Sequence, residues 1–162
     1  MSFLNDSVAD LRHESPLVKV SGAFILIGDM RLTSNALVGR HVLILEDEYL
    51  IAMDVEQLCR DAGAAEVTIA HSLSDAGAVD GFAKRFDVVI LDLMLSGLPT
   101  VDYARQLREA GVPFVFASGY AGNDEVFMHF PEVRVVAKPY SGSDLIEAVS
   151  SVLSPERRLS GV

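Results

Sequence analysis

The chain has no tryptophan, a single cysteine, and no apolar run approaching the length of a membrane span. Each lack excludes something. A membrane-crossing helix needs ~20 consecutive apolar residues, and here charge interrupts every apolar stretch well before that. The one thiol, Cys59, cannot close an internal disulfide, and no Cys or His stands near it at metal-ligand spacing, so it reads as a small core residue. Basic residues are also scarce, with 13 Lys and Arg against 23 Asp and Glu, a formal net charge of −10. That balance argues against a nucleic-acid surface, which needs a basic patch, and favours solubility and basic partners. The opening M-S-F-L-N-D-S-V-A-D is acidic rather than basic and does not resemble a secretory signal, so a cytoplasmic protein is expected.

What is present is a series of short apolar runs, each followed by a helical pattern. The 162 residues allow one domain of common size. Residues 1–39 read as an N-terminal extension or linker, with a candidate strand at Ala23 to Ile27 and a weak amphipathic helix over 3–12. From residue 40 the alternation sharpens. Strands are predicted at 41–45, 66–70, 88–91, 112–117 and 133–137, and helices at 49–62, 74–84, 101–110, 124–130 and 141–153. Residues 154–162 form a polar tail. Five strand–helix units with connections long enough for right-handed crossovers imply an α/β fold, a doubly wound parallel sheet with helices on both faces.

The strand ends carry the chemistry. Val88 to Leu91 lack alternation, as in a strand buried on both faces, and run into Asp92. The first strand ends in Glu46 and Asp47, the fourth in Ser118 and the fifth in Lys138. In a parallel sheet these ends lie on one edge, where ligands bind. Taken singly, each has an ordinary structural use: an acid closing a strand, an N-cap, a turn serine, a surface lysine. Together they suit a hard cation such as Mg²⁺ among the carboxylates and a phosphoryl group drawn toward Asp92, with Lys138 neutralising one phosphoryl oxygen and Ser118 donating to another.

The runs L-I-L-E-D-E, V-I-L-D-L-M-L, F-V-F-A-S-G-Y and V-V-A-K-P-Y resemble the receiver domain of two-component response regulators over residues 41 to 153. The resemblance implies a flavodoxin-like sheet of order 2-1-3-4-5 flanked by five helices. It implies Asp92 as phosphoacceptor, Asp47, Asp92 and the Met94 carbonyl as Mg²⁺ ligands, and Glu46 acting through water. It makes Ser118 the switch hydroxyl and Lys138 the site lysine. The segment 113–120 further resembles the alphaproteobacterial stand-alone "FAT GUY" receivers, with Ser118 in place of their Thr. One departure stands out: the position three before the lysine, where the family carries its switch aromatic, is Val135. Tyr120 and Tyr140 are the candidates to replace it. Met94 and Tyr120, each two residues beyond a site residue, suggest a shielded phosphoryl group and slow autodephosphorylation.

The expectation is therefore a single-domain response regulator. It takes a phosphoryl group from a histidine kinase or histidine phosphotransfer protein and signals by binding an unidentified partner, or acts as a phosphate sink. A homodimer is a further expected form. The chain is not expected to be an enzyme beyond its own phosphorylation and dephosphorylation. Two rival readings are a degenerate receiver serving as a phosphorylation-independent interaction module and an aspartyl-nucleophile phosphatase. The phosphatase usually carries a second acid two residues after the nucleophile, where this chain has Met94.

Overall fold

The computed structural model describes the backbone of residues 17–20, 23–26, 35–119 and 128–154, and the side chains of 35–119 and 128–154. The chain divides into two compact units, Met1–Leu32 and Thr33–Val162. In the first, Leu17–Val20 and Ala23–Leu26 pair antiparallel, with Val20 opposite Ala23. The expected strand at Ala23 is present; the expected helix over 3–12 lies outside the described residues.

The second unit is built on a parallel sheet. Its strands are β1 (His41–Leu45), β2 (Glu66–Ala70), β3 (Val88–Asp92), β4 (Phe114–Ser118) and β5 (Val135–Ala137), in the spatial order β2-β1-β3-β4-β5. Five helices lie among the described residues: α1 (Tyr49–Asp61), α2 (Leu73–Ala76), α3 (Phe82–Arg85), α4 (Val101–Glu109) and α5 (Gly142–Leu153). This is the flavodoxin-like order expected for the family. The central strand β3 is buried throughout, which is why its sequence shows no alternation.

The sheet separates two apolar clusters. Leu43, Leu45, Val89, Leu91, Phe114 and Phe116 face one side, joined there by Phe82, Tyr103, Leu107 and Phe130. Val42, Ile44, Val88, Ile90 and Val115 face the other, with Val55, Cys59, Leu145 and Val149. The two-residue period of a strand makes this division, since neighbours point to opposite faces. Cys59 is buried as expected, and burial pushes its thiol up to about 12.

Two local features differ from expectation. The helix predicted over 74–84 is two short helices, α2 and α3, because Gly77 and Gly81 take φ of 78° and 83°, a left-handed conformation that ends a helix. Ser72 caps α2 by accepting from the Asp75 N–H at 3.1 Å. The helix expected over 124–130 falls largely outside the described residues.

The second difference concerns the boundary placed at residue 39. Asn35 to Gly39 form a turn that belongs to the domain, with the Leu37 side chain 0% exposed in the cluster that holds Val42, Ala62 and Val67. The Leu37 N–H donates to the Ala62 carbonyl at 2.9 Å and the Gly39 N–H to the Gly63 carbonyl at 3.3 Å, tying the turn to the end of α1. Gly63 itself needs to be glycine: its φ is 91°, and a Cβ there would meet Val38 at 2.8 Å.

Candidate functional site

Strand register sets the site. Leu45 pairs with Leu91, which puts Glu46 beside Asp92; Asp92 pairs with Ala117, and Ser118 with Ala137. The C-terminal ends of β1, β3, β4 and β5 therefore meet at one level. The ladder continues one step past β5, where the Lys138 N–H donates to the Ser118 carbonyl at 2.6 Å. The Lys138–Pro139 peptide is cis.

From this backbone the Lys138 ammonium reaches across the sheet edge. Its Nζ lies 2.6 Å from Asp92 Oδ2 and 2.5 Å from Glu46 Oε2. Glu46 is 3% exposed and Ser118 is buried. Carboxylate oxygens of Glu46, Asp47 and Asp92 come within 4.8 Å of one another, a cluster that could hold a metal ion. One ammonium is thus shared between two carboxylates, with a third close by. Burial raises the Glu46 carboxyl above its ordinary range; the hydrogen bond and charge of Lys138 oppose this, and Asp92's charge adds to it. Burial alone would pull the Lys138 ammonium down, but its hydrogen bonds to Asp92 and Glu46 outweigh that and its affinity for the proton rises.

The donor set suits a hard cation. The three acids offer only oxygen, and they crowd negative charge that a divalent ion would offset.

Backbone groups fix the carboxylates. The Met94 N–H donates to Asp92 Oδ1 at 3.1 Å, and the Glu48 N–H to Glu46 Oε1 at 3.3 Å. Asp47 Oδ2 accepts from the Ser96 N–H at 2.8 Å, although 49 residues separate them. The Thr100 hydroxyl donates to the Asp92 carbonyl at 2.7 Å in a buried setting. His71 Nδ1 lies 2.9 Å from the Glu46 carbonyl oxygen. Ser96, Thr100 and His71 escaped the reading of the sequence. A serine in a Gly-containing turn, a threonine before a helix and a histidine after a strand each have commonplace local uses that mask a contact so distant in sequence.

Of the three switch candidates, Val135 is half-buried and packs against the cluster on the Phe116 side of the sheet. Tyr140 packs against the opposite cluster, and its buried hydroxyl has no hydrogen-bond partner among the described residues. Burial pushes that hydroxyl up to about 12. Tyr120 lies outside the described residues.

Comparison with known proteins agrees with this geometry. A family model described as the response regulator receiver domain matches residues 42–150. The transcriptional regulatory protein PdtaR of Mycobacterium tuberculosis is 30% identical over 132 residues, which cover 80% of this chain and 64% of PdtaR. The phyllosphere-induced regulator PhyR of Methylorubrum extorquens is 28% identical over 116 residues, 69% of this chain and 43% of PhyR. The chain thus spans less than two thirds of the length of these relatives. Among solved structures, a response regulator receiver protein from Sinorhizobium medicae superposes with a TM-score of 0.58 at 27% identity, covering 71% of this chain and 94% of that one. The anti-anti-sigma factor PhyR of Bartonella quintana shares the fold, with a TM-score of 0.64 at 23% identity over 83% of this chain and 56% of that one. The matched segment holds Glu46, Asp47, Asp92, Ser118 and Lys138 at the meeting strand ends, and the chain belongs to the response regulator receiver domain family.

Proposed function

We propose that Asp92 accepts a phosphoryl group from a histidine kinase or histidine phosphotransfer protein, and that the resulting change of charge at the sheet edge alters the binding of a partner. The observation that carries this reading is the Lys138 ammonium held 2.6 Å from Asp92 Oδ2 in a cluster of acids at the end of a rigid buried strand. An Asp92 oxygen attacks phosphorus, the new O–P bond forming as the P–N bond to the donor imidazole breaks and the electron pair leaves with the imidazole.

Glu46, Asp47, Asp92 and the Met94 carbonyl are the groups that would hold Mg²⁺, which when bound supplies positive charge for the phosphoryl oxygens. Lys138 moves its attention from two carboxylates to a phosphoryl oxygen, as a point charge. Ser118, at the end of β4, is the hydroxyl donor and the first reporter of the new group. Catalysis is confined to the chain's own phosphorylation and dephosphorylation. The acidic surface and the absence, among the described residues, of a helix long and apolar enough to cross a membrane favour action in the cytoplasm on protein partners. Likeness to PhyR, whose Bartonella quintana form is described as an anti-anti-sigma factor, supports an output made by protein binding.

Incubation with acetyl phosphate and Mg²⁺, followed by intact-protein mass spectrometry, tests the proposal. Wild type gains one phosphoryl group and Asp92→Asn gains none. An unlabelled wild type would instead favour a phosphorylation-independent interaction module, and rapid multiple turnover a phosphatase.

A further inference from the structure

Asp92 opens a short hairpin whose purpose the proposed chemistry leaves unused. Met94–Leu95 and Leu98–Pro99 pair antiparallel across Ser96 and Gly97, which take φ of 51° and 77°. Positive φ at both turn residues gives a tight turn that matches the twist of its strands and holds its tip in one place. The tip aims the Ser96 N–H at Asp47 Oδ2, 2.8 Å away on the loop after β1. The base is closed twice by Thr100, whose N–H donates to the Leu93 carbonyl at 3.0 Å and whose hydroxyl donates to the Asp92 carbonyl at 2.7 Å.

Thr100 stands at the N-cap of α4, where a hydroxyl ordinarily accepts a hydrogen bond from the first turn of the helix. Here it makes no such bond. It is 1% exposed, and it points back to Asp92 instead. A buried hydroxyl that forgoes its helix to grip the backbone of the reactive residue is serving that residue.

We infer that Thr100 is a positioning residue for Asp92, and that the hairpin it anchors holds Asp47 in fixed relation to Asp92. The inference rests on the phosphoacceptor reading of Asp92. Attack on phosphorus needs the carboxylate aimed, and its rotation is set by the Met94 N–H on Oδ1 and by Lys138 on Oδ2. Both holds presuppose that the Asp92–Leu93 peptide does not turn: its N–H donates to the Ala117 carbonyl at 3.3 Å, and its carbonyl is held by the Thr100 hydroxyl at 2.7 Å. At the other end, the Ser96 N–H engages one Asp47 oxygen and leaves the other for a metal.

The test measures the initial rate of acetyl-phosphate labelling against Mg²⁺ concentration for wild type, Thr100→Val, Thr100→Ser and Gly97→Val. The comparison is made at a temperature where their far-UV circular dichroism coincides. Small misplacements of a reacting group cost on the order of 10–100-fold in rate. Thr100→Val is therefore expected to lower the maximal rate about tenfold or more, with Thr100→Ser restoring most of it. Gly97→Val has nothing within 4 Å of its added Cβ but cannot hold φ of 77° without strain, so it perturbs the turn at the hairpin tip while keeping the Thr100 hydroxyl in the chain. It is expected to raise the half-saturating Mg²⁺ concentration severalfold while changing the maximal rate less. Labelling of Thr100→Val within twofold of wild type, or no recovery in Thr100→Ser, overturns the role of the hydroxyl. An unchanged Mg²⁺ dependence in Gly97→Val overturns the role of the hairpin. A wild type that takes no label removes the phosphoacceptor reading itself, and the inference with it.

Discussion

Two truncations five residues apart should behave very differently. A chain beginning at Asn35 keeps the whole turn that docks Leu37; one beginning at Arg40 loses it. Leu37 is 0% exposed, and burial of this kind is worth about 2–5 kcal/mol when a leucine is cut back to alanine. The lost turn also takes the Leu37 N–H from the Ala62 carbonyl and the Gly39 N–H from the Gly63 carbonyl. Those carbonyls sit at the end of α1 where water replaces part of the bond, so they add ~1 kcal/mol at most. The Arg40 chain should be less stable by about 2–6 kcal/mol, a large share of the ~5–15 kcal/mol typical of a domain. At ~2–4 °C per kcal/mol that lowers the melting point by roughly 4–24 °C. Urea unfolding followed by far-UV circular dichroism measures it, with Leu37→Ala in the longer chain expected to reproduce most of the loss. Equal midpoints for the two truncations would refute the reasoning, because the cavity beneath Leu37 would then have closed without cost.

Other outcomes follow from the same contacts. If the acidic cluster binds Mg²⁺, the ion at ten times its Kd should stabilise by about 1.4 kcal/mol, raising the melting point by ~3–6 °C; Asp47→Asn should abolish the shift in differential scanning fluorimetry. Tyr140→Phe removes a buried hydroxyl that has no partner among the described residues, so its melting point should equal or exceed that of wild type, whereas a clear drop would reveal a hidden bond. Cys59, its thiol pushed up to about 12, should be silent to Ellman's reagent at pH 8 until denaturant is added. Asp87 accepts from the His41 N–H at 2.9 Å and from Arg40 at 3.0 Å, and despite partial burial these hold its carboxyl below the ordinary range. A depressed carboxyl contributes stability above its unfolded pKa and loses it as pH falls through the folded one. Asp87→Asn should therefore cost up to about 1 kcal/mol at neutral pH and progressively less below pH ~4, as urea midpoints across pH would show.

The parts of this fold that repeat a simple rule were legible in the sequence. β2 was read at Glu66–Ala70 and found there; β1 and β3 announced themselves as apolar runs ending in acids. Because parallel strands share a direction, Glu46, Asp47, Asp92 and Lys138 could be assigned to one edge without any distance in hand. What escaped was decided by single residues acting out of pattern. The glycines at 77 and 81 broke one expected helix into two, since two left-handed residues outweigh a periodic stripe. Leu37, in the three-residue run Ala36-Leu37-Val38 between Asn35 and Gly39, was too short a stretch to show any period, yet it fills a gap beside Val42 and Val67. Ser96 and Thr100 hold the site through a backbone amide and a redirected hydroxyl, and neither a residue's type nor its spacing reveals where those groups point.

The sheet that aims Asp92 is also a partition. Leu43 and Leu91 belong to one apolar cluster, Ile44 and Ile90 to the other, although they are adjacent in sequence and share the same two strands. A volume change at Leu91 is absorbed among phenylalanines; one at Ile90 falls among the side chains of α1 and α5. Errors on the two faces should then be tolerated independently, their effects adding because no side chain is shared between them. The molecule has, in effect, two interiors that can drift apart over generations while the single layer between them keeps the acids and the lysine in step.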